Sequence, residues 1–298
     1  MEIRESIHAR DLRLIGSGAT ADVYRLTDGE IVKLFKKTYS EDAARYEAGI
    51  ADAVGKTAIK APGYRGMLTI DGRVGVAYDF VPGDLLFERL LAASPRSGIA
   101  LIKKLAREHA AMHDARCDAQ GVGLPSQKNR LTFLIRNADG IDRYRQGILD
   151  WLDASAAGNS VCHGDLHAGN VIVNGNDFFA IDWMNAYAGD PAGDALRSYL
   201  MLASPYIPIR LSFPKRLAFA AYKRALAESY LSEYRKRSGL KRKDIRAWWP
   251  AIAAARLADR VPGESAWLIG KIKGNLWRLT GRASARSRGT PSIGNIPS

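Results

Sequence analysis

The chain has 298 residues, of which 47% are hydrophobic and 25% charged, enough to bury a core in one large domain or in two lobes. Its two cysteines, Cys117 and Cys162, cannot make a disulfide scaffold, so both are expected to be reduced and buried. The net charge of +13 is uneven: residues 201–298 hold 20 Lys/Arg against 5 Asp/Glu, while the first 200 hold 24 against 26, which fits either solvated basic helix faces or an anionic partner on the C-terminal third.

In chain order, the opening MEIRESIHAR mixes charges and has no apolar stretch of the kind a signal peptide needs. DLRLIG, TADVYRL and EIVKLF predict three short strands separated by Gly-rich or Asp-Gly turns. SEDAARYEAGIADAV predicts a helix, with Ser40 as its cap and Glu41 and Asp42 at the positive end of its dipole. GMLTI and RVGVAYDF flank Asp71-Gly72, a two-residue hairpin signal. VPGD, from Val81 to Asp84, reads as a connector.

Beyond it, LLFERLLAA, GIALIKKLAREHAAMHDA, RLTFLIRN and YRQGILDWLDA have helical spacing of apolar residues. VIV and FFAID interrupt them as short strands around Asn174-Gly175-Asn176. FPKRLAFAAYKRALAESYLSEYRKR and IRAWWPAIAAARLADR predict long helices, the second kinked at Pro250. The apolar run YLMLASPYIPI is too short and too rich in proline to span a bilayer. A cytoplasmic protein is therefore expected, divided into a small strand-rich lobe over 1–81, a helical lobe over 82–280 and a disordered basic tail over 281–298.

Three stretches carry chemistry. In IGSGATADVYRL, Gly16, Gly18 and Ala21 follow a Gly-x-Gly-x-x-Gly pattern with alanine in third place, which suits backbone N–H groups facing phosphate but equally a plain hairpin turn. In EIVKLF, Lys33 shares a strand face with Ile31 and Phe35 and needs an anionic partner, which Glu47 on the next helix offers. In VCHGDLHAGNVIVNGNDFFAIDWMN, His163, Asp165 and His167 alternate like ligands of a zinc hydrolase. Zinc wants three converging ligands and an open position, and the other histidines, at 8, 109 and 113, offer no further ligand motif.

Taken in order, G-S-G-A-T-A-D-V, Val32-Lys33, Glu47, H-G-D-L-H-A-G-N at 163–170, I-D-W at 181–183 and G-D-P-A-G-D at 189–194 resemble the protein-kinase-like phosphotransferases. The likeness is strongest to the aminoglycoside phosphotransferase and choline-kinase-like group. The resemblance implies an α+β, bilobal fold with a small N-terminal β-sheet lobe carrying one helix and a larger, mostly helical C-terminal lobe. It implies transfer of the γ-phosphoryl group of ATP, with GTP left open, to a hydroxyl of a small molecule such as an aminoglycoside, an amino alcohol or a sugar.

The same resemblance assigns roles. Asp165 is the catalytic aspartate, and Asn170 and Asp182 hold Mg²⁺. Lys33 binds the α- and β-phosphates and Glu47 fixes it. His163 and Asp194 support the catalytic loop, and His167 either approaches the γ-phosphate or only packs. Gly16 and Gly18 face the phosphates, while Val23, Ile31 and Ile172 enclose the base. The backbone of Asp79 and Val81 meets the base edge, with Tyr78 at the back of the pocket.

Asp182 is followed by Trp183-Met184, and only seven residues separate it from Asp190. That leaves little room for a peptide-docking loop and disfavours the alternative of a protein Ser/Thr kinase. A non-catalytic nucleotide-binding pseudokinase is disfavoured because every polar group the chemistry needs is present. The acceptor is the open question. Trp248, Trp249, Trp267 and Trp277 could box a choline-like cation, or simply be core. The basic C-terminal third speaks against a polycation.

Overall fold

The computed structural model describes residues 7–117, 123–207 and 212–276; the predicted tail and Trp277 lie outside them. The alternating sequence of the first eighty residues builds one antiparallel sheet from β1 (Arg13–Ser17), β2 (Ala21–Arg25), β3 (Glu30–Phe35), β4 (Tyr64–Ile70) and β5 (Arg73–Asp79). Its order is β1-β2-β3-β5-β4, which puts β3 in the middle. Val32 and Leu34 point to one face and are fully buried, packed with Leu68 and Ile70. Ile31, Lys33 and Phe35 take the other face. The hairpin turn sits where expected: Asp71 and Gly72 have φ of 50° and 71°, the positive values that a two-residue turn of matching twist requires.

α1 (Glu41–Gly55) begins at the predicted cap, where Ser40 accepts a hydrogen bond from the Ala43 N–H at 3.3 Å. It buries Ala44, Glu47 and Ala48 against the Phe35 and Val76 face of the sheet. The connector then does more than connect. Its last residue opens β6 (Asp84–Leu85), which pairs with β8 (Val171–Asn174), itself paired with β9 (Asp177–Ala180). Gly83 crosses β8 so tightly that a Cβ there would stand 2.2 Å from the Val173 carbonyl oxygen, so only glycine fits.

The remaining chain is mostly helical: α2 (Leu86–Ala92), α3 (Pro95–Met112), α4 (Gln127–Arg136), α5 (Asp142–Ala154), α6 (Pro191–Ala203), α7 (Phe213–Ser238), α8 (Arg242–Ala247), α9 (Trp249–Leu257) and α10 (Ser265–Lys273). They share one large core with the Ile50, Ala53 and Val54 side of α1. A ribbon of β7 (Ser160–Cys162) and β10 (Tyr187–Gly189) brackets residues 163–186. The single kinked helix expected around Pro250 is two helices. Pro250 has no N–H to return to the carbonyl four residues back, so α8 stops at Ala247 and α9 restarts after Trp248. Both cysteines are buried, and neither is in a disulfide. No helix among the described residues is long and apolar enough to cross a membrane.

Candidate functional site

Lys33 is the hinge point of the site. Its Nζ lies 2.9 Å from Glu47 Oε1 and 3.0 Å from Oε2, and 3.0 Å from Asp182 Oδ1. Burial works against the ammonium, and the two carboxylates outweigh it, so the Lys33 pKa is raised. Tyr78 donates its hydroxyl to Glu47 Oε1 at 2.9 Å, which holds the glutamate from the sheet side. The pairing joins residues 149 apart in sequence and ties the central strand to the segment after β9.

Asp182 adopts φ 63° and ψ 61°, a left-handed conformation that aspartate tolerates better than most residues. Its neighbours enforce it: the Ile181 N–H bonds the Asn170 carbonyl at 3.0 Å, and the Ile181 carbonyl accepts from His163 Nε2 at 3.0 Å. Asn170, nearly buried, donates its amide to the Asp165 carbonyl at 3.0 Å. The loop 163–170 and the strand end at 181–182 are therefore stitched together. Gly164 allows the tight approach, with φ 76° and the Asn185 carbonyl oxygen 2.1 Å from where a Cβ would be.

The alternating His-Asp-His set does not converge as zinc ligands. His163 is fully buried, with Nε2 on the Ile181 carbonyl and Nδ1 accepting from the Asp165 N–H at 3.2 Å. Burial keeps its pKa low. His167 accepts from the Gly169 N–H on Nδ1, and its Nε2 stands 4.0 Å from Asp165 Oδ2. Its pKa is also lowered by burial.

Asp194 lies beneath the loop and is fully buried. Its Oδ2 accepts from the His163 N–H at 2.9 Å, from His109 Nε2 at 3.1 Å and from His113 Nε2 at 3.2 Å. Its Oδ1 accepts from the Gly164 N–H at 3.0 Å and from the Tyr187 hydroxyl at 3.1 Å. Burial alone would raise the Asp194 pKa, but the hydrogen bonds from His109 and His113 hold it well below the usual range. Burial, followed by the neighbouring His113, pushes His109 down to about 4. His109 and His113 in turn meet the hydroxyls of Tyr230 and Tyr234 on their Nδ1 atoms, at 2.6 and 2.8 Å. His109, His113 and Asp194 have the separations of a metal cluster, yet every ring nitrogen already has a partner, and the set closes on itself as a hydrogen-bonded carboxylate.

Several of these residues escape sequence reasoning. Arg197 is the most important: its Nη2 lies 3.1 Å from Asp165 Oδ1 and 3.0 Å from Asp259 Oδ2. Burial pushes the Asp165 pKa up, and the Arg197 cation, with smaller help from His167 and His163, brings it below its ordinary value. Asp259 also pairs with Arg256 at 3.2 Å, and Arg256 with Glu264 at 2.9 Å. Nothing marks Arg197 in the sequence beyond its place one helical turn after Asp194. His109 and His113 do leave a trace, since their four-residue spacing puts them on one helix face. Asp190 behaves as a helix cap, accepting from the Ala192 N–H at 2.8 Å.

The proposed base-binding residues are half-buried side chains on or beside the sheet and on β8: Val23, Ile31, Asp79, Val81 and Ile172. Val23 pairs directly with Lys33 in register. Gly16 and Gly18 lie at the β1–β2 turn, and Lys36, half-buried, donates to the Gly18 carbonyl at 2.6 Å. Among the described residues no hydrogen bond or ion pair joins Gly16, Gly18 or Val23 to the loop 163–170. Among the described residues the tryptophans form no empty cation box. Trp248 is buried edge-on against Trp151, and Lys271 already lies over Trp249 and Trp267, 5.4 and 5.8 Å from their ring centres.

The profile of a family described as the phosphotransferase enzyme family matches residues 11–240. Among curated proteins none matches. Among solved structures the chain is similar to an aminoglycoside-3'-phosphotransferase of type VIII, at 17% identity over 83% of this chain and 93% of that one, with a TM-score of 0.54. It is similar to a choline/ethanolamine kinase family protein from Mesorhizobium loti, at 14% identity over 94% and 88%, with a TM-score of 0.51. It is also similar to an amicoumacin kinase in complex with AMP-PNP and Ca²⁺, at 14% identity over 92% and 89%, with a TM-score of 0.53. At these identities the likeness is one of fold.

Proposed function

The chain belongs to the phosphotransferase enzyme family, and on that premise we propose that it moves the γ-phosphoryl group of ATP, with Mg²⁺, to a hydroxyl of a small molecule. The observation that carries this reading is Lys33, held between Glu47 and Asp182 beside the loop of Asp165 and Asn170. A buried cation fixed by one carboxylate, next to a second that is about half exposed, suits a polyphosphate and its counter-ion. The similar amicoumacin kinase is bound to AMP-PNP and Ca²⁺, which supports an adenine nucleotide and a divalent ion here.

Asn170 and Asp182 fit such an ion, because both offer hard oxygen donors and Asp182 faces solvent on one side. Mg²⁺ bound there supplies neutralising charge to the phosphate oxygens. Lys33 cradles the α- and β-phosphates from the sheet side. The acceptor oxygen bonds to the γ-phosphorus as the bond to the β-phosphate oxygen breaks, ADP leaves, and the acceptor proton goes to Asp165. With its pKa below the ordinary value, Asp165 is ionised at neutral pH and serves chiefly to orient the hydroxyl, taking its proton late. Asp194 and His163 act on the loop rather than on substrate.

The segment after Asp182 supports a small acceptor over a peptide. A turn at Trp183–Asn185 and strand β10 occupy nearly all of it before α6 begins. The test is ADP release across a panel of amino sugars, amino alcohols and phosphorylated metabolites. Asp165→Asn should lower the turnover of whichever acceptor is active by about 10³-fold, within the span of general-base effects, while nucleotide binding persists. Unchanged turnover would remove Asp165 from the chemistry.

A further inference from the structure

Five of the twenty Lys and Arg of the C-terminal third line one groove. Two cavities, of about 290 and 400 Å³, share Tyr199, Arg224, Trp249 and Lys271 as walls and so lie side by side. Five cations line the combined groove: Lys223, Arg224, Arg242, Arg246 and Lys271. Among the described residues Glu228 is the one carboxylate that lines it, and it accepts the Tyr199 hydroxyl at 2.8 Å. Among the described residues none of the five cations forms a salt bridge. Lys223 donates only to the carbonyls of Ser204 and Tyr206, at 2.7 and 2.8 Å, and burial lowers its pKa.

Like charges facing one another across a concave wall concentrate positive potential, and the field is strongest where water is partly excluded. Flat rings stand among them: Trp249 and Trp267 flank Lys271, and Tyr199 meets Trp249 edge-on with centres 5.9 Å apart. Rings beside cations suit a ligand that carries both a planar group and a multiple negative charge. On α6, Tyr199 stands about 200° around the helix from Arg197, the residue that holds Asp165, so the groove lies on the side of α6 turned away from the transfer site.

We propose that this groove is a second ligand site, for a small phosphorylated aromatic anion whose phosphate meets the Arg224, Arg242 and Arg246 side and whose ring packs against Trp249. The site stands apart from the phosphotransfer reading, because its test contains no turnover. The full-length protein, saturated with ADP and Mg²⁺, is titrated with naphthyl phosphate and, separately, with inorganic phosphate. Tryptophan fluorescence and calorimetry report binding. One site for naphthyl phosphate is expected, tighter than that for inorganic phosphate and weakened by salt. The double variant R242E/R246E, whose side chains are exposed, should weaken it by about tenfold or more and leave ADP affinity unchanged. Trp249→Leu should erase the preference for the aromatic phosphate. No binding, or binding that R242E/R246E does not change, would overturn the proposal.

Discussion

Two carboxylates close to the loop 163–170 are built on opposite rules. Asp194, beneath it, is fully buried and takes five donors from within the protein. That uses the lone-pair capacity of a carboxylate completely. Asp182, in front of it, touches one lysine and leaves about half of its side chain exposed. The first is finished by the fold and can only hold; the second has capacity left for something that arrives. Residue type does not separate the two, since both are aspartates in short motifs. What separates them is how many donors the chain itself brings.

Substitutions at the two positions should therefore fail in different currencies. Asp182→Asn should cut turnover by about 10³-fold, equivalent to about 4 kcal/mol of lost charge stabilisation, with urea unfolding close to wild type. If the variant unfolded instead, Asp182 would be a second structural acid. Asp194→Asn should show the reverse, losing about 3 kcal/mol of stability in urea as a buried, multiply bonded charge is removed. Were its midpoint unchanged, the buried network would be ornamental.

A finer probe is pH. The unfolded chain protonates His109 near its ordinary 6.5, the folded chain only near 4. Between those values the unfolded state binds more protons, so stability is whole above 6.5 and falls as pH drops toward 4, by up to about 3 kcal/mol. His109→Gln should flatten that slope in thermal melts recorded from pH 7 to 4. At the smallest scale, Lys36→Met removes the donor to the Gly18 carbonyl and should cost about 1 kcal/mol of stability, seen as a small shift in the urea midpoint.

The sheet was readable because its strands alternate and its hairpin carries Asp-Gly, signals that act over a few residues. The loop 163–170 was readable because it carries a motif of fixed spacing, and Lys33 because a lysine on a central strand demands a partner. β7 and β10 were not, since three residues are too short for a period and their partners are distant in sequence. Arg197 was hidden for a related reason. Its role comes from Asp165, 32 residues before it, and Asp259, 62 residues after it, and no local pattern records either. The break at Pro250 was foreseen as a bend; that proline also sets the start of α9, which carries Arg256 near its far end.

The Arg197 pairing also bears on the order in which the protein is made. The family match ends at residue 240, by which point every motif residue has been translated. Asp259, Arg256 and Glu264, which fix Arg197 against Asp165, have not. At about 5–20 residues per second, a nascent chain spends roughly one to five seconds between residue 240 and Glu264. Until Asp259 has been added, Arg197 has only Asp165 to pair with.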